Sequence, residues 1–193
     1  MKNIKITLTG TSPMLCHNPR LADPDDKWAR DIKVITDKKT KTEDDRKAIE
    51  RLEWFGGLYT DDNLPGPVFP TASIRKCFIA AAKIVRKGRD VERALAFTEY
   101  LVPIAYDGPR DITDLYKQKA YHSRLPVRIG TNRIMRVRPQ FPIWSVVAHA
   151  VLLEDVMDFV ALRRVIERAG LAEGLGDNRV NGYGRFIGEV KLV

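Results

Sequence analysis

Four glycines near the C-terminal end of the sequence bracket a short polar loop. Gly174 and Gly176 precede the loop, and Gly182 and Gly184 follow it. A chain uses glycine where φ must be positive or where a ligand approaches the backbone closely. Such a loop presents N–H groups to an anion, and Arg179 inside it adds positive charge. The pattern is compatible with phosphate contacts, but the residues alone favour a tight structural turn.

A second feature is a basic segment that contains no acid. Residues 115–153 hold seven Lys and Arg side chains and no Asp or Glu, in a chain whose formal net charge is +8. Because the segment itself contains no counter-charge, we expect these cations to face solvent or a polyanion and not to form internal ion pairs. The seven residues are Lys117, Lys119, Arg124, Arg128, Arg133, Arg136 and Arg138.

Histidine is the third residue type with chemical potential, because it can deprotonate a 2′-hydroxyl. The sequence has three: His17, His122 and His149. We expect His149, within an apolar run, to be a core residue, which leaves His122 and His17 as weak catalytic candidates. Zinc-ligand spacing, a P-loop and a nucleophile elbow are absent from the sequence, so we expect no metal and no cofactor.

Composition restricts the class of protein. The 193 residues are 44% hydrophobic and include two cysteines, which excludes overall disorder and a disulfide scaffold. The longest apolar run, residues 143–153, is shorter than the roughly 20 residues that a membrane-spanning helix needs. The first residues alternate like a strand and lack a signal-peptide core. We therefore expect one cytoplasmic domain over residues 1–193 with no membrane partner.

The periodicity predicts the order of elements along the chain. A first strand carries Ile4, Ile6 and Leu8, and a charged insertion over 19–62 follows it. Within residues 23–62, twelve acids oppose nine bases, and Thr42 with Asp45 forms a capping-box start for one helix. A helix over 71–86 with Thr71 as N-cap, a shorter helix over 90–100 and a strand over 101–106 come next.

A hairpin arm over 117–141, centred on Gly130, is predicted after these elements. It is followed by a strand over 144–153 that is covered on both faces, a helix capped by Asp155 or Asp158, and a closing strand over 185–193. Without the insertion and the arm, the order is that of an α+β, ferredoxin-like or RRM-type βαββαβ fold. That fold has an antiparallel sheet with two helices on one face.

The glycine spacing resembles a known family signature. Gly174-Leu175-Gly176, five residues and Gly182-Tyr183-Gly184-Arg185 are similar to the glycine-rich motif of the RAMP superfamily, the RNA-binding ferredoxin-like proteins of CRISPR systems. Leu64-Pro65-Gly66 followed by Ser73-Ile74-Arg75-Lys76 resembles the first-helix opening of their backbone subunits, which polymerise along guide RNA. The insertion and the hairpin match the positions of the finger and thumb elements of those subunits.

The resemblance implies an RNA-binding backbone subunit of a CRISPR-type ribonucleoprotein. Such a subunit would track single-stranded guide RNA through phosphate contacts, oligomerise along it and contact other effector subunits. The implied RNA-binding residues are Ser73, Arg75, Lys76, Arg124, Arg128, Arg133, Arg136, Arg138, Arg179, Asn181 and Arg185.

The sequence is also compatible with other functions and with purely structural roles for these residues. The chain could be a metal-independent endoribonuclease that processes CRISPR repeat RNA with His122 or His17. It could also be a phage or plasmid relative that binds single-stranded nucleic acid or interferes with a CRISPR complex. If these residues have purely structural roles, Ser73 only caps its helix, the basic residues are solvated, and the hairpin packs on a neighbouring subunit.

Overall fold

The computed structural model describes the backbone of residues 1–193 and the side chains of all of them except Ile129 and Asn132. Within this described chain, six α-helices accompany an open antiparallel sheet, so the protein belongs to the α+β class. None of these helices is both long enough and apolar enough to cross a membrane.

Ten strands and six helices make up the chain. The strands are β1 (Lys2–Gly10), β2 (Met14–Leu15), β3 (Thr60–Asp61), β4 (Leu64–Pro70), β5 (Leu95–Phe97), β6 (Leu101–Ala105), β7 (His122–Ile129), β8 (Asn132–Phe141), β9 (Ser145–Leu152) and β10 (Phe186–Leu192). The helices are α1 (Lys27–Thr36), α2 (Glu43–Gly57), α3 (Thr71–Lys83), α4 (Gly88–Ala94), α5 (Ile112–Lys117) and α6 (Phe159–Arg168).

In the main sheet, β1 lies between β10, at one edge, and β9. Strands β10, β1, β9, β6, β4 and β3 lie side by side in that order, and β5 also pairs with β9. Every pairing is antiparallel, with Ile6 opposite Val190 on one side and opposite Ala148 on the other. The first and last strands therefore occur where the alternating pattern predicts them.

One face of this sheet forms the core. Ile4, Ile6 and Leu8 of β1 are fully buried together with apolar side chains of α3 and α6. Because successive strand side chains point to opposite faces, the alternate residues of β1 and β9 face outward. Burial therefore alternates from Ile4 to Leu8 in β1 and along β9.

The prediction that residues 144–153 are covered on both faces is wrong, because the outer face of β9 is open. Val147 and His149 are exposed on that face. The expectation that His149 is a core residue is also wrong: its Nδ1 lies 2.8 Å from Oε1 of Glu99.

The chain between α3 and β6 also differs from its prediction. The expected helix over 90–100 ends at Ala94, and Leu95–Phe97 continue as β5 along the edge of β9. Helix α3 begins at Thr71, with Pro70 as the N-cap residue. The Thr71 hydroxyl donates instead to the carbonyl oxygen of Glu99 at 2.6 Å.

The charged insertion contains two helices. The predicted capping box is present: the Thr42 hydroxyl accepts from the Asp45 N–H, and the Asp45 carboxylate accepts from the Thr42 N–H. Carbonyl groups at the C-terminal end of α2 accept hydrogen bonds from Arg20. Its guanidinium donates to the carbonyl oxygens of Phe55, Gly56 and Leu58. This arrangement supplies partners for carbonyl groups that a helix end leaves unpaired.

Strands β7 and β8 form the predicted hairpin, here named the basic hairpin (residues 122–141). Strand β2 pairs with β8, and α2 packs against β8. Glu53 of α2 is 4% exposed; it forms an ion pair with Arg136 and accepts a hydrogen bond of 2.9 Å from the N–H of Val137.

The expectation that the basic segment makes no internal ion pairs is wrong. Arg124 pairs with Glu50, Arg136 with Glu53, and Lys117 with Asp114. Arg138 pairs with Asp177 at 2.6 Å. Asp114 directly precedes the segment, whereas Glu50, Glu53 and Asp177 come from distant parts of the chain, which the local composition does not show.

Removing the Glu53 carboxylate should loosen the basic hairpin. Glu53→Ala leaves a buried N–H without an acceptor and the partly buried Arg136 without its counter-charge. We expect the free energy of unfolding to fall by about 2–4 kcal/mol. Glu50→Ala, which removes the exposed pair with Arg124, should cost less than about 1 kcal/mol. Urea denaturation measures both, and equal losses would contradict the anchoring role of Glu53.

Candidate nucleic-acid interface

The glycine-rich loop (residues 174–184) requires glycine at each of its four glycine positions. Gly174, Gly176, Gly182 and Gly184 have φ values of 75°, 78°, 85° and 72°, a region that side chains other than glycine rarely adopt. A Cβ on Gly184 would lie 1.8 Å from the carbonyl oxygen of Leu175. At Gly182, nothing described lies within 4 Å of that Cβ position.

The loop is held by backbone hydrogen bonds that consume many of its N–H groups. The Asp177 N–H donates to the carbonyl of Leu15, and the Gly184 N–H donates to that of Pro13, both at 2.8 Å. The Ser12 hydroxyl donates to the carbonyl oxygen of Gly182 and accepts from the Arg185 N–H. Side chains of the loop are therefore better placed than its backbone to contact a ligand.

A cavity of 820 Å³ lies between the basic hairpin and the glycine-rich loop. Strand β7 and its partner β8 supply one wall, and the loop and the segment after α6 supply the other. The cavity gathers five of the predicted RNA-binding residues, which are Arg128, Arg138, Arg179, Asn181 and Arg185.

Three buried polar atoms along this cavity lack hydrogen-bond partners among the described residues. They are Nε of Arg138, Oδ2 of Asp177 and Nη1 of Arg185. The Arg138 and Asp177 atoms form a close ion pair, but without hydrogen-bond alignment. Buried polar groups are normally satisfied, and of these three atoms only Nη1 of Arg185 has neither a hydrogen bond nor an ion pair among the described residues.

The tip of the hairpin concentrates unneutralised charge. Arg128 lies directly opposite Arg133 in the strand register, and neither forms an ion pair with a described carboxylate. Like charges opposite each other on two strands are destabilising. An anionic ligand would relieve this repulsion.

A second cavity of 280 Å³ continues the first across the glycine-rich loop. It brings in Ser73 and Lys76 from α3, and both cavities share Glu173, Asp177 and Arg179 in their walls. We call the two cavities together the groove. Cys77 also lines the second cavity, but burial raises the pKa of its thiol to about 12, so it is not a ready nucleophile.

Several predicted site residues serve the fold and lie outside the groove. The Arg75 guanidinium donates to the carbonyl oxygens of Glu92 and Leu95 and so joins α3 to α4. Arg124 pairs with Glu50, and Arg136 pairs with Glu53.

His122 is also occupied by structural contacts. Its Nε2 lies 2.6 Å from the carbonyl oxygen of Tyr116, and its ring stacks on Trp54. His17, by contrast, lines the second cavity. Desolvation lowers the pKa of His17, and the charges of Arg138 and Arg136 lower it further, while Asp177 and Glu53 oppose this change.

Two acids of this region escaped the sequence analysis. Asp177 and Glu53 hold Arg138 and Arg136, and each lies far from its partner in the sequence. The one local sequence signal for either acid was that Asp177 lies within the glycine-rich loop. Among the described residues, no group of three or more His, Cys, Asp or Glu side chains could hold a metal ion.

Comparison with models of known protein families and with curated proteins finds no match for this chain.

The glycine-rich loop offers a matched test of its geometry. Gly182→Ala places a side chain in open space at positive φ, which costs about 1–2 kcal/mol. Gly184→Ala adds a clash with a backbone oxygen and should cost about 3 kcal/mol or more. Thermal and urea unfolding compare the two variants, and a Gly184→Ala protein as stable as Gly182→Ala would show that the loop is shaped differently.

Proposed function

We propose that the protein binds single-stranded RNA in the groove, mainly through its phosphates. The observation that carries the proposal is the groove itself, which gathers cations from the basic hairpin, the glycine-rich loop and α3. Arg128, Arg179 and Lys76 supply charge along its length, and Asn181 supplies an amide. Phosphate contacts of this kind provide most of the affinity of sequence-independent nucleic-acid binding.

The open face of the main sheet is a poorer RNA surface. RRM-type sheets stack bases on aromatic side chains of their central strands. The outward-facing positions at the centre of β1 and β9 carry Lys5, Thr7, Val147 and His149. None of these is Phe, Tyr or Trp, and the one aromatic ring, that of His149, is held by Glu99. This face therefore offers little area for base stacking, and the groove is favoured.

We infer that the core is a ferredoxin-like unit of the RAMP type. In chain order, β1, β6, β9 and β10 serve as its four strands, and their spatial order β10-β1-β9-β6 supports that assignment. Helices α3 and α6 occupy the two crossover positions. In this proposal the insertion and the basic hairpin correspond to finger and thumb, and the protein is a backbone subunit of a CRISPR-type ribonucleoprotein.

Self-association along RNA is part of the same proposal. The insertion carries an excess of acids and the rest of the chain an excess of bases, so the insertion of one copy complements the basic surface of the next. We expect this contact to order successive copies on one strand.

Removing two groove cations should weaken RNA binding and its salt dependence together. For the Arg128→Ala/Arg179→Ala double variant, we expect lower affinity for single-stranded RNA of any sequence. The slope of log affinity against log salt should fall by about 1.4, since each lost phosphate contact on a single strand contributes about 0.7. Fluorescence anisotropy of end-labelled RNA measures both.

The matched control is Arg89→Ala/Arg93→Ala, which removes two exposed cations of α4 outside the groove. It should leave affinity and slope nearly unchanged. An equal loss in both double variants would mean that net charge, and not the groove, binds RNA. Single-stranded DNA of the same sequence tests whether the 2′-hydroxyl contributes.

A second candidate function is RNA cleavage with His17 as general base, favoured because His17 lines the groove with a lowered pKa. His17→Ala should abolish metal-independent cleavage of a structured RNA. In the unaltered protein, activity should fall as the pH drops through the His17 pKa, which lies below 6.5, because the protonated ring accepts no proton. Activity should be flat from there to neutral pH.

His122→Ala is the comparison for this candidate. It should lower stability through loss of the stacking on Trp54 and the contact with Tyr116, yet it should retain cleavage when folded. Cleavage that survives in His17→Ala, or is absent from the unaltered protein, would exclude His17 catalysis and leave a binding protein.

A further inference from the structure

The last strand, β10, is an edge of the main sheet. It pairs with β1 on one side, and within the described chain no strand lies on its other side. An edge strand presents a row of N–H and C=O groups to which another strand can be added. The outer side of β10 is therefore a place where a second chain can extend the sheet.

The backbone hydrogen bonds show which residues of β10 face outward. In an antiparallel sheet the N–H and C=O of one residue point to the same side, and the side alternates along the strand. The Val193 N–H donates to the carbonyl oxygen of Asn3 at 3.0 Å, and the carbonyl of Arg185 accepts from the Thr11 N–H at 2.7 Å. Odd-numbered residues of β10 therefore bond to β1. The residues whose backbone groups point away from the sheet are Gly188, Val190 and Leu192.

One end of this edge is covered by the segment that follows α6. A Cβ on Gly170 would lie 1.9 Å from the carbonyl oxygen of Phe186, so the backbone of Gly170 lies directly against that end of β10. The uncovered part of the edge therefore runs over residues 188–192, and Val190 is at its centre.

The uncovered edge is self-complementary in its backbone. Two copies related by a two-fold axis at Val190 align their β10 strands antiparallel. Val190 then lies opposite Val190, and Gly188 lies opposite Leu192 of the second copy. All three are outward-facing residues, so each of these pairs can exchange both N–H···O bonds.

The side chains on the outer face of β10 are complementary in the same register. Glu189 lies opposite Lys191 of the second copy, and Ile187 lies opposite Val193. All four side chains are exposed in the single chain, where Lys191 Nζ lies 3.5 Å from Glu189 Oε2. Opposite charges and apolar side chains directly across two strands stabilise the pairing. The two-fold axis repeats both kinds of pair.

Charge and pleat exclude the neighbouring registers. A shift of the axis by one residue places Glu189 or Lys191 on the axis, opposite its own copy, and like charges at this position are destabilising. An axis between two residues would set outward-facing side chains of one strand opposite inward-facing side chains of the other. The sequence of β10 thus favours the one register that is centred on Val190.

We propose that β10 pairs with β10 of a second copy of this chain to form a symmetric dimer with one continuous sheet. The interface is isologous, because the same strand is used by both copies. It differs from the contact between the insertion and the basic surface of the next copy, which joins copies head to tail. It also needs no RNA, since no residue of 187–193 lines the groove.

Reversal of single charges on β10 tests the interface. Glu189→Lys and Lys191→Glu each place like charges opposite each other twice, and both positions are exposed in the single chain. In sedimentation velocity of nuclease-treated protein, we expect a monomer–dimer equilibrium for the unaltered chain. Each single variant should weaken the dimer about tenfold or more.

A mixture of the two variants provides the decisive comparison. One partner then carries two Lys and the other two Glu, so an equimolar mixture should form a heterodimer about as tight as the unaltered dimer. The control is Asp62→Lys, which makes the same change of charge at an exposed turn residue between β3 and β4. It should leave the dimer intact.

The backbone pairing has its own measurement. Hydrogen exchange of the Gly188, Val190 and Leu192 amides should slow as the protein concentration rises through the dimer transition. The amides of Glu189 and Lys191 bond to β1 and should be protected throughout. Leu192→Pro removes one outward-facing N–H at an exposed edge position, where proline is tolerated. This variant should fold and remain monomeric.

The outcomes decide the proposal without reference to RNA. A chain that is monomeric at every concentration overturns it and leaves the edge to a strand of another protein. A dimer that persists in both single charge variants, or variants that stay monomeric when mixed, overturns the pairing centred on Val190. RNA affinity of the single copies, measured by anisotropy, should be unchanged in Lys191→Glu, so failure of groove binding is seen separately.

Discussion

The buried carboxylate of Glu53 holds the basic hairpin against helix α2. One oxygen pairs with Arg136, and the other accepts the N–H of Val137 on the edge of β8 that faces away from β7. A carboxylate in this position is acceptable only because both oxygens are satisfied. The placement of the hairpin relative to the insertion depends on this contact, and so does one wall of the groove.

The division of charge along the hairpin follows from that anchor. At its base, arginines are neutralised by acids of α2 and of the glycine-rich loop, as with Arg136 and Arg138. At its tip, Arg128 and Arg133 face each other without a described counter-charge. Paired cations fix the geometry, and unpaired cations supply attraction for a polyanion. A hairpin with only unpaired cations would be repelled by the rest of this basic chain.

Local patterns in the sequence predicted the elements whose stability is local. The capping box of Thr42 and Asp45, the alternation in β1 and the hairpin around Gly130 all act within a few residues, and each is present. Strand β5 was mistaken for helix because its pairing with β9 is a tertiary contact that overrides a weak local preference. Likewise, Glu53 and Arg136 are 83 positions apart, so composition around the basic segment could not reveal that its charge is partly neutralised.

The groove residues Arg128 and Arg179 were found from local charge and glycine spacing, whereas the cavities that unite them depend on packing.

Asp177 shows how the two walls of the groove are coupled. Its N–H donates to Leu15 of β2, and its carboxylate lies against Arg138 of β8, so one residue joins the glycine-rich loop to the hairpin. The same carboxylate lowers the positive potential inside the groove. In the proposed RNA complex, a phosphate beside Arg138 would compete with Asp177, and attraction would be greatest at Arg128 and Lys76, which form no ion pair with a described carboxylate. An acid at the centre with free cations toward both ends favours a chain of spaced phosphates over a single compact anion, because only an extended ligand reaches both ends at once.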